Sequence, residues 1–279
     1  MSFRLAQISD THLSARAPGF SANFNILAMH LREMRPDLVV NTGDLSLNGA
    51  DEAADLALAR ATHDALGLDW LAVPGNHDIG DDPLPGCAQP ANAARLARWR
   101  AHLGADSFVR DVPGWRLIGL NSQITACTLP EAEAQLGALN AALEDAGGRS
   151  VAILMHKPLC QERMDETGST YWCIQPGPRQ RIVELLMRHR PAFIASGHVH
   201  QWRDRGVSEG LRQIWAPSAA FIVGDPFQEV VGEKRVGFVE HVLHPYGAFE
   251  SRMVALLGLV THDIGEMPEM YGPLKRLAA

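Results

Sequence analysis

Residues 73–78 read Val-Pro-Gly-Asn-His-Asp and follow an apolar run, residues 69–73, that is typical of a short buried strand. The proline and glycine end that strand and turn the backbone. Three side chains of different chemistry then lie at one strand end. Asn76 offers an amide oxygen to a metal, His77 offers an imidazole that can give or take a proton, and Asp78 can orient the imidazole or cap the next turn. A lone run of this kind is usually a polar turn, so its meaning depends on the rest of the chain.

Four further predicted strands also end in residues that could ligate a metal. Residues 3–9 alternate apolar and polar side chains, and residues 37–41, 151–155 and 193–196 are compact apolar runs. The potential ligands just past these strands are Asp10, His12, Asp44, His156, His198 and His200. A single histidine or aspartate in such a place is usually structural, and it is the repetition that points to a common site.

Helical patterns separate these strands. Apolar spacing predicts helices over residues 21–35, 51–66, 91–103, 130–146 and 179–189. Strands that alternate with helices favour a mainly parallel sheet covered by helices, and ligands of such sheets bind beyond the carboxyl ends of the strands. We therefore expect the polar clusters to meet at one edge. Later strands suit a second, more antiparallel sheet packed on the first, and they are predicted over residues 211–215, 237–243 and 249–257.

Composition limits the function classes. The chain has 279 residues, with 46% hydrophobic and 20% charged residues, a profile typical of soluble globular proteins. Its net charge of -7 argues against nucleic acid and anionic membranes as partners. No basic segment followed by an apolar stretch opens the sequence, and the four cysteines form no Cys-x-x-Cys pair. We expect a cytoplasmic protein with reduced thiols, and the sequence leaves open whether it forms a homo-oligomer.

Together the strand ends supply seven oxygen and nitrogen donors, which suits two metal ions that share one bridging carboxylate. The donors are Asp10, His12, Asp44, Asn76, His156, His198 and His200. Carboxylate and imidazole ligands favour manganese, iron or zinc over magnesium or calcium. No cysteine joins the set, so a purely structural zinc site is a less natural interpretation.

This series of motifs resembles the signature of the calcineurin-like metallophosphoesterases: Asp-x-His, Gly-Asp, Gly-Asn-His-Asp, a strand-end His and Gly-His-x-His, in that order between Asp10 and His200. Within that family the chain looks most like the bacterial class III cyclic-nucleotide and glycerophosphodiester phosphodiesterases. It departs from them at residues 47–49, Leu-Asn-Gly, where those enzymes often carry Asp-x-Gly. This departure bears on the substrate and not on the metals.

The resemblance implies an α/β fold, a four-layer αββα sandwich of two mixed sheets flanked by helices, with a dimetal site at the C-terminal ends of the strands. It implies a metallophosphoesterase domain over residues 1–260, and residues 261–279 are expected to form a loosely ordered tail. It also implies which donors share an ion: Asp10, His12 and His200 on the first, Asn76, His156 and His198 on the second, and Asp44 bridging both.

The activity that the resemblance implies is hydrolysis of a small phosphodiester, such as a cyclic nucleotide or a glycerophosphodiester, by a hydroxide that the two ions hold. His77, which lies too far along its loop to be a ligand, would stabilise the transition state or protonate the leaving group. Three alternatives are a phosphomonoesterase, with Lys157 as the nearest extra cation; a nuclease, which the acidic balance disfavours; and a non-catalytic protein-binding scaffold, which predicts eroded ligands where none is missing.

Substrate choice is expected to depend on residues 157–178, an irregular segment between two ligand-bearing strands. Tyr171 and Trp172 are adjacent in this segment. One interpretation places a ring against a nucleobase or an organic leaving group. The other makes both rings anchors of the loop to the core, and the sequence leaves the two open.

Overall fold

The computed structural model describes residues 1–167 and 171–277, so the predicted loop 157–178 and the predicted tail 261–279 each include a few residues outside the described part. The strands are β1 (Phe3–Ile8), β2 (Leu38–Asn41), β3 (Trp70–Ala72), β4 (Phe108–Val112), β5 (Trp115–Leu120), β6 (Ser150–Met155), β7 (Phe193–Ser196), β8 (Arg203–Ser208), β9 (Leu211–Trp215), β10 (Phe221–Ile222), β11 (Phe238–Leu243), β12 (Phe249–Val254) and β13 (His262–Asp263). The helices are α1 (Pro18–Met34), α2 (Ala53–Asp64), α3 (Asn76–Ile79), α4 (Ala93–Leu103), α5 (Pro130–Glu144), α6 (Pro176–His189) and α7 (Pro268–Tyr271).

Two large mixed sheets form the centre of the molecule. The first has the order β12-β11-β1-β2-β3 and the second has the order β4-β5-β6-β7-β9-β8. Strands β1, β2 and β3 are parallel to one another, as are β5, β6, β7 and β9. The predicted alternation of strands and helices is therefore confirmed, and the parallel strands of each sheet end at a common edge.

The prediction that the last three strands belong together in the second sheet is wrong. Only β9 joins that sheet, whereas β11 pairs antiparallel with β1 and β12 follows it into the first sheet. Strand β2 pairs with one edge of β1. If the other edge of β1 were unpaired, its backbone groups would be buried in the middle of the sandwich without partners. Strand β11 satisfies that edge, a requirement that hydrophobic periodicity does not reveal.

Alternate side chains of the strands point into different apolar layers. In β2, Leu38 and Val40 pack between the two sheets, and Val39 packs under α1 and α2. In β6, Ala152 and Leu154 lie between the sheets, and the residues between and after them pack under α5 and α6. One apolar layer lies between the two sheets, and one lies between each sheet and the helices that cover it. This arrangement confirms the four-layer αββα sandwich.

The described part of the C-terminal segment, residues 261–277, is more ordered than the sequence predicts. Strand β13 pairs with β10, and a 3-10 turn (Ile264–Glu266) and α7 follow. The segment packs into a fourth apolar cluster with Phe20, Phe221 and Val223. Its polar and proline-rich sequence hides this order because the apolar partners come from distant parts of the chain.

Two edge strands also lie outside the predicted elements. Strands β4 and β8 leave most of their side chains half-buried or exposed, so they give little hydrophobic signal. Across the residues that the structure describes, none of the helices combines the length and the apolar character that spanning a bilayer requires.

Candidate metal centre

The loops that leave β1 and β2 are tied together at the edge of the first sheet. Asp10 N donates to Gly43 O at 2.9 Å, and His12 N donates to Asp44 O at 3.0 Å. The side chain of Asn41, the last residue of β2, accepts from Gly43 N at 3.0 Å. These bonds place the aspartates and the histidine of two sequence motifs side by side.

Five of the predicted ligands have a left-handed backbone, a conformation that non-glycine residues rarely adopt. They are Asp10 (φ 55°), His12 (φ 42°), Asp44 (φ 53°), His198 (φ 67°) and His200 (φ 57°). Such residues cost about 1–3 kcal/mol each and persist where the surrounding structure fixes them, typically at functional sites. The strained turns direct these side chains into one region beyond the sheet edge.

Glycine precedes three of the ligands, and at two of these positions the carboxylate of a facing ligand comes very close. A Cβ atom on Gly75 would overlap the carboxylate of Asp44, and one on Gly197 would overlap that of Asp10. The glycines of the Gly-Asn-His-Asp and Gly-His-x-His motifs are thus packing requirements of the site itself.

The first ligand group consists of Asp10, His12 and His200, whose ligand atoms lie within 4.8 Å of one another. His200 Nε2 lies 3.1 Å from Asp10 Oδ1 and 3.4 Å from His12 Nε2. His200 Nδ1 donates to the carbonyl oxygen of Phe221 at 2.9 Å, so its Nε2 carries the lone pair. Burial lowers the pKa of His12 well below its ordinary value, which keeps that imidazole neutral.

The second ligand group consists of Asn76, His156 and His198. His156 Nδ1 donates to Thr42 O at 2.8 Å, and its Nε2 lies 3.2 Å from Asn76 Oδ1. His198 Nε2 donates to Tyr171 O at 2.9 Å, so its Nδ1 is the nitrogen left for a metal. Burial lowers the pKa of His198 well below its ordinary value.

Asp44 lies between the two groups. Its Oδ2 is 3.8 Å from His12 Nε2 and 3.2 Å from His156 Nε2, and its Oδ1 accepts from His77 N at 2.8 Å. Burial opposes ionisation, yet the facing imidazoles of His156 and His77 hold the pKa of Asp44 well below its ordinary value. Burial likewise lowers the pKa of His156, but the Asp44 carboxylate outweighs it and raises that pKa to about 9. A cation between these side chains would take the place of the proton.

A buried ligand atom without a hydrogen-bond partner indicates that the first group fits a metal. The Asp10 Oδ1 atom is buried and accepts no hydrogen bond from any residue that the structure describes. Beside it, two imidazole nitrogens face each other at 3.4 Å. In the tautomers that would ligate a metal through Nε2, two lone pairs face each other here, and a cation between them would relieve their repulsion. Carboxylate and imidazole donors are the set that manganese, iron and zinc accept.

His77 lies closer to the ligands than the sequence predicts. One of its ring nitrogens is within 4.8 Å of ligand atoms of His12 and Asp44, which makes a third candidate group. Its Nδ1 donates to Leu47 O at 3.1 Å, so Nε2 is the nitrogen free to face an ion or a substrate oxygen. The short helix α3 makes this possible, because it turns the loop back over the site immediately after Gly75.

Of the two roles predicted for Asp78, its contacts favour the cap. Its carboxylate accepts from Gly75 N at 2.9 Å, from Leu45 N at 3.1 Å and from Ser46 N at 3.0 Å. Leu47 O, and not this carboxylate, orients the imidazole of His77. Asp78 therefore ties the Gly-Asp loop to the Gly-Asn-His-Asp loop, and it acts on the site through their positions.

Two pockets of different character meet at His77 and Tyr171, which line both. The apolar pocket, about 270 Å³, has walls formed by Trp172, Phe221, Val223, Phe227, Ile264 and Leu274. The acidic pocket, about 480 Å³, is lined by Asp81, Asp82, Gln89, Lys157 and Gln175 among others. Tyr171 is 49% exposed, so its ring forms a wall of both pockets.

Lys157 is not a free cation. Its buried ammonium contacts Asp81 and lies 2.9 Å from Asp82 Oδ2. Burial lowers the pKa of Lys157, but the two carboxylates outweigh it and raise that pKa above its ordinary value. The residue lines the acidic pocket with its charge already neutralised there, and its role in binding substrate stays a prediction.

Trp172 combines the two interpretations of its segment. Its ring lines the apolar pocket, packs against the fourth apolar cluster and lies 5.6 Å from the ring of His198. Truncation of this side chain would therefore affect both a pocket wall and the packing behind it.

Sequence reasoning missed one side chain at the centre of the site, that of Tyr271 in α7. Its hydroxyl lies 2.7 Å from His12 Nδ1, and its ring lies 4.6 Å from that of His77. The tyrosine comes 71 residues after the last ligand motif, in a segment without hydrophobic periodicity. Only the small number of tyrosines, three in the chain, could have drawn attention to it.

Comparisons with known proteins agree with this geometry. Residues 3–202 match the family described as calcineurin-like phosphoesterase. One relative, from Arcobacter nitrofigilis, is 28% identical over 217 residues, covers 71% of each chain and carries the name probable glycerophosphodiester phosphodiesterase. Another, from Synechococcus, is 27% identical over 269 residues, covers 91% of this chain and 92% of its own, and carries the name probable cyclic nucleotide phosphodiesterase.

Among solved structures, a dimetal phosphatase from Danio rerio shares the fold with a TM-score of 0.62 at 15% identity, over 91% of this chain and 99% of its own. The sandwich and its strand-edge ligand groups define a metal-dependent phosphoric ester hydrolase. The chain belongs to the calcineurin-like phosphoesterase family.

Proposed function

We propose that this enzyme is a phosphodiesterase that hydrolyses a small diester, of the cyclic-nucleotide or glycerophosphodiester kind, with two divalent ions. The observation that carries the proposal is the pair of pockets that meet at the ligand groups. A phosphodiester bears two organic groups on one phosphorus, and each group needs its own space when the phosphate binds at the centre. A monoester would fill only one pocket.

The two ligand groups would each hold one ion, and Asp44 would contact both. Manganese, iron and zinc are the metals that this donor set favours. When bound, such ions supply a water-derived nucleophile at neutral pH and screen the negative charge on the phosphate oxygens. The names of the two relatives support a diester as the substrate.

His77 is the residue proposed to act on the leaving group. Its Nδ1–H is held by Leu47 O, and its Nε2 faces the region where the pockets meet. In its protonated form the ring can donate from Nε2 to the departing oxygen, and its positive charge stabilises the charge that develops there. Asp78 supports this role indirectly, because it fixes the loop that carries the imidazole.

Charge also favours a diester over a monoester. A dianionic monoester gains from an additional cation near the phosphate. Lys157 is the candidate that the sequence offers, but it is already paired with Asp81 and Asp82.

The different linings of the two pockets favour a substrate with two unlike organic groups on the phosphorus. A flat or apolar group suits Trp172 and Phe221, and a group with hydroxyl or ammonium donors suits the two aspartates.

We also propose a cytoplasmic location, with neither nucleic acid nor membrane as a partner. The net charge of -7 supports this, as do the free thiols of Cys87, Cys127 and Cys160.

The proposal is tested with manganese-loaded protein on five substrates: bis-nitrophenyl phosphate, nitrophenyl phosphate, a cyclic nucleotide, a glycerophosphodiester and single-stranded DNA. We expect kcat/KM for at least one small diester to exceed that for the monoester by about tenfold or more, a difference of about 1.4 kcal/mol in transition-state binding. Protein carrying Asp44→Ala, prepared in the same way, controls for contaminating phosphatases. Faster turnover of the monoester would replace this proposal with a phosphomonoesterase, and cleavage of DNA alone would replace it with a nuclease.

A further inference from the structure

Each ligand group is contacted from outside by one tyrosine hydroxyl. Tyr271 contacts His12 of the first group, and Tyr171 contacts Asn76 of the second. We infer that these two tyrosines are positioning residues, one for each ion, and that each sets the affinity of its own ion. The inference rests on the proposed function only in assuming that each ligand group binds an ion.

Tyr271 fixes the tautomer of His12. The two groups are joined at 2.7 Å between the hydroxyl and Nδ1, and the same hydroxyl donates to Leu47 O at 3.4 Å. Ligation of a metal through Nε2 of His12 requires that Nδ1 carry the proton and donate to the tyrosine oxygen, whose own proton can then go to Leu47 O. The lone pair of His12 is thereby kept on Nε2, the nitrogen that faces His200. Partners of this kind orient a ligating imidazole and raise its basicity.

Tyr171 fixes the side-chain amide of Asn76. Its hydroxyl accepts from Asn76 Nδ2 at 3.2 Å, which leaves the amide oxygen directed at His156. An amide that turned over would present hydrogens instead of a lone pair to an ion. The backbone carbonyl of Tyr171 also accepts from His198 Nε2 at 2.9 Å, so two of the three members of the second group depend on this residue.

Both tyrosines are held by contacts of their own. The segment that carries Tyr271 is fixed by the pairing of β13 with β10 and by the bond from Leu277 N to Pro226 O at 2.8 Å. Strand β10 in turn supplies the Phe221 carbonyl that orients His200. The ring of Tyr171 packs edge-on against that of Trp172 at 4.9 Å, with the ammonium of Lys157 5.6 Å from its centre.

Residues 261–277 are, by this inference, part of the metal-binding unit, although the sequence predicts a tail that follows a domain ending at residue 260. Two of the three members of the first group donate a hydrogen bond to this segment or to the strand that it pairs with. The members of the second group donate their corresponding bonds to the loop after β6 and to Thr42.

Substitution by phenylalanine separates the hydroxyl from the ring. Tyr271→Phe and Tyr171→Phe keep the pocket walls and the ring packing, and each removes one hydrogen bond to one ligand. The Asn76 amide and the His12 imidazole would then lack a partner at the atom that faces away from the ion. Tyr246, the remaining tyrosine of the chain, is 80% exposed and stacks on His244, so Tyr246→Phe is a matched control.

The test is a titration of the metal-free full-length protein with Co²⁺, followed by heat and by visible absorption, with no substrate present. We expect two binding steps in the wild type. Tyr271→Phe should weaken one step by about 10–100-fold, Tyr171→Phe should weaken the other by a similar factor, and Tyr246→Phe should leave both unchanged. In a His200→Ala background, which disables the first group, only Tyr171→Phe should still weaken the remaining ion.

Several results would overturn the inference. Unchanged affinities in both variants would do so, as would equal weakening of both steps by either variant. A lower melting temperature of the metal-free variants with unchanged affinity would show a structural role instead. Wild-type protein that binds two ions and hydrolyses no phosphate ester would refute the proposed function alone, because the titration does not depend on turnover. Wild-type protein that binds no ion would refute both.

Discussion

The two ligand groups lie on either side of Asp44, yet they are built differently. The first group combines the carboxylate of Asp10 with two imidazoles, and hydrogen bonds from the C-terminal segment and β10 orient those rings. The second group replaces that carboxylate with the amide of Asn76, and the loop after β6 orients the amide and one ring. The sandwich supplies the strand ends, but two separate outer segments complete the two sites. Each ion should therefore respond to changes in its own segment.

The largest effect should come from Asp44→Ala, which removes the carboxylate that lies between the two groups. Both ions should be lost together, because each loses a charged ligand and the facing imidazoles lose the carboxylate that attracts them. Hydrolysis should fall by about 10³-fold or more, since the ions supply several kcal/mol of transition-state stabilisation. Metal content per chain, measured by elemental analysis after dialysis, checks this directly.

A matched control for this variant is Asp145→Ala, whose side chain is 84% exposed at the end of α5. It should retain both ions. Retention of two ions by the Asp44 variant would mean that the two groups bind their ions independently, as two separate sites.

The strand ends and their ligands are predictable from the sequence because they are local. Each motif follows an apolar run, and the parallel order of the strands brings the ends to one edge. The Gly-Asn and Gly-His pairs carry their own packing requirement, as Gly75 and Gly197 show. All seven donors that the sequence singles out lie together in the structure, although their roles as ligands stay a prediction.

The contacts that surround the ligands are not predictable in the same way, because they join residues far apart in the sequence and involve no recognisable motif. Nothing local distinguishes Tyr271 from a solvent-exposed tyrosine, since its partner His12 lies 259 residues earlier. The pairing of β11 with β1 depends on which edge is left open, and the small helix α3 depends on the cap that Asp78 makes. Hydrophobic periodicity contains neither kind of information.

A smaller effect, on turnover alone, is expected for His77→Ala. A positioned acid usually contributes about 10²–10⁴ in rate, and the loss should be smaller for substrates with a good leaving group such as nitrophenolate. Metal content should stay at the wild-type value, because each group keeps its three members. Rates on a series of aryl diesters of graded leaving-group pKa, measured with metal analysis of the same samples, check both statements.

The His77→Ala variant also tests whether His77 is itself a ligand of the first ion. His77 comes within 4.8 Å of ligand atoms of His12 and Asp44, so loss of an ion from His77→Ala would make it a ligand. Equal losses of rate for poor and good leaving groups, with both ions retained, would instead remove it from the role of proton donor.

The smallest effect concerns the order in which the ions leave. The second group carries one negative charge fewer of its own than the first, since Asn76 stands where the first group has Asp10. Its ion should be the more labile, by about tenfold, because affinity for divalent cations rises with the number of charged ligands. Titration of the loaded wild type with a chelator should therefore show two steps, with activity lost in the first. A single concerted loss of both ions would contradict this.

Asn76→Asp tests whether charge alone causes that difference. The substitution preserves size, and Tyr171 can accommodate it because a hydroxyl that accepts from an amide can turn and donate to a carboxylate. The second ion should then bind about tenfold more tightly, and the two chelation steps should merge. If the steps stay apart in Asn76→Asp but merge when the first ion is weakened by Tyr271→Phe, the outer segments and not the charge set the order. The reverse result would assign the order to charge, and the two outer segments would then tune affinities that the strand-end ligands have already ranked.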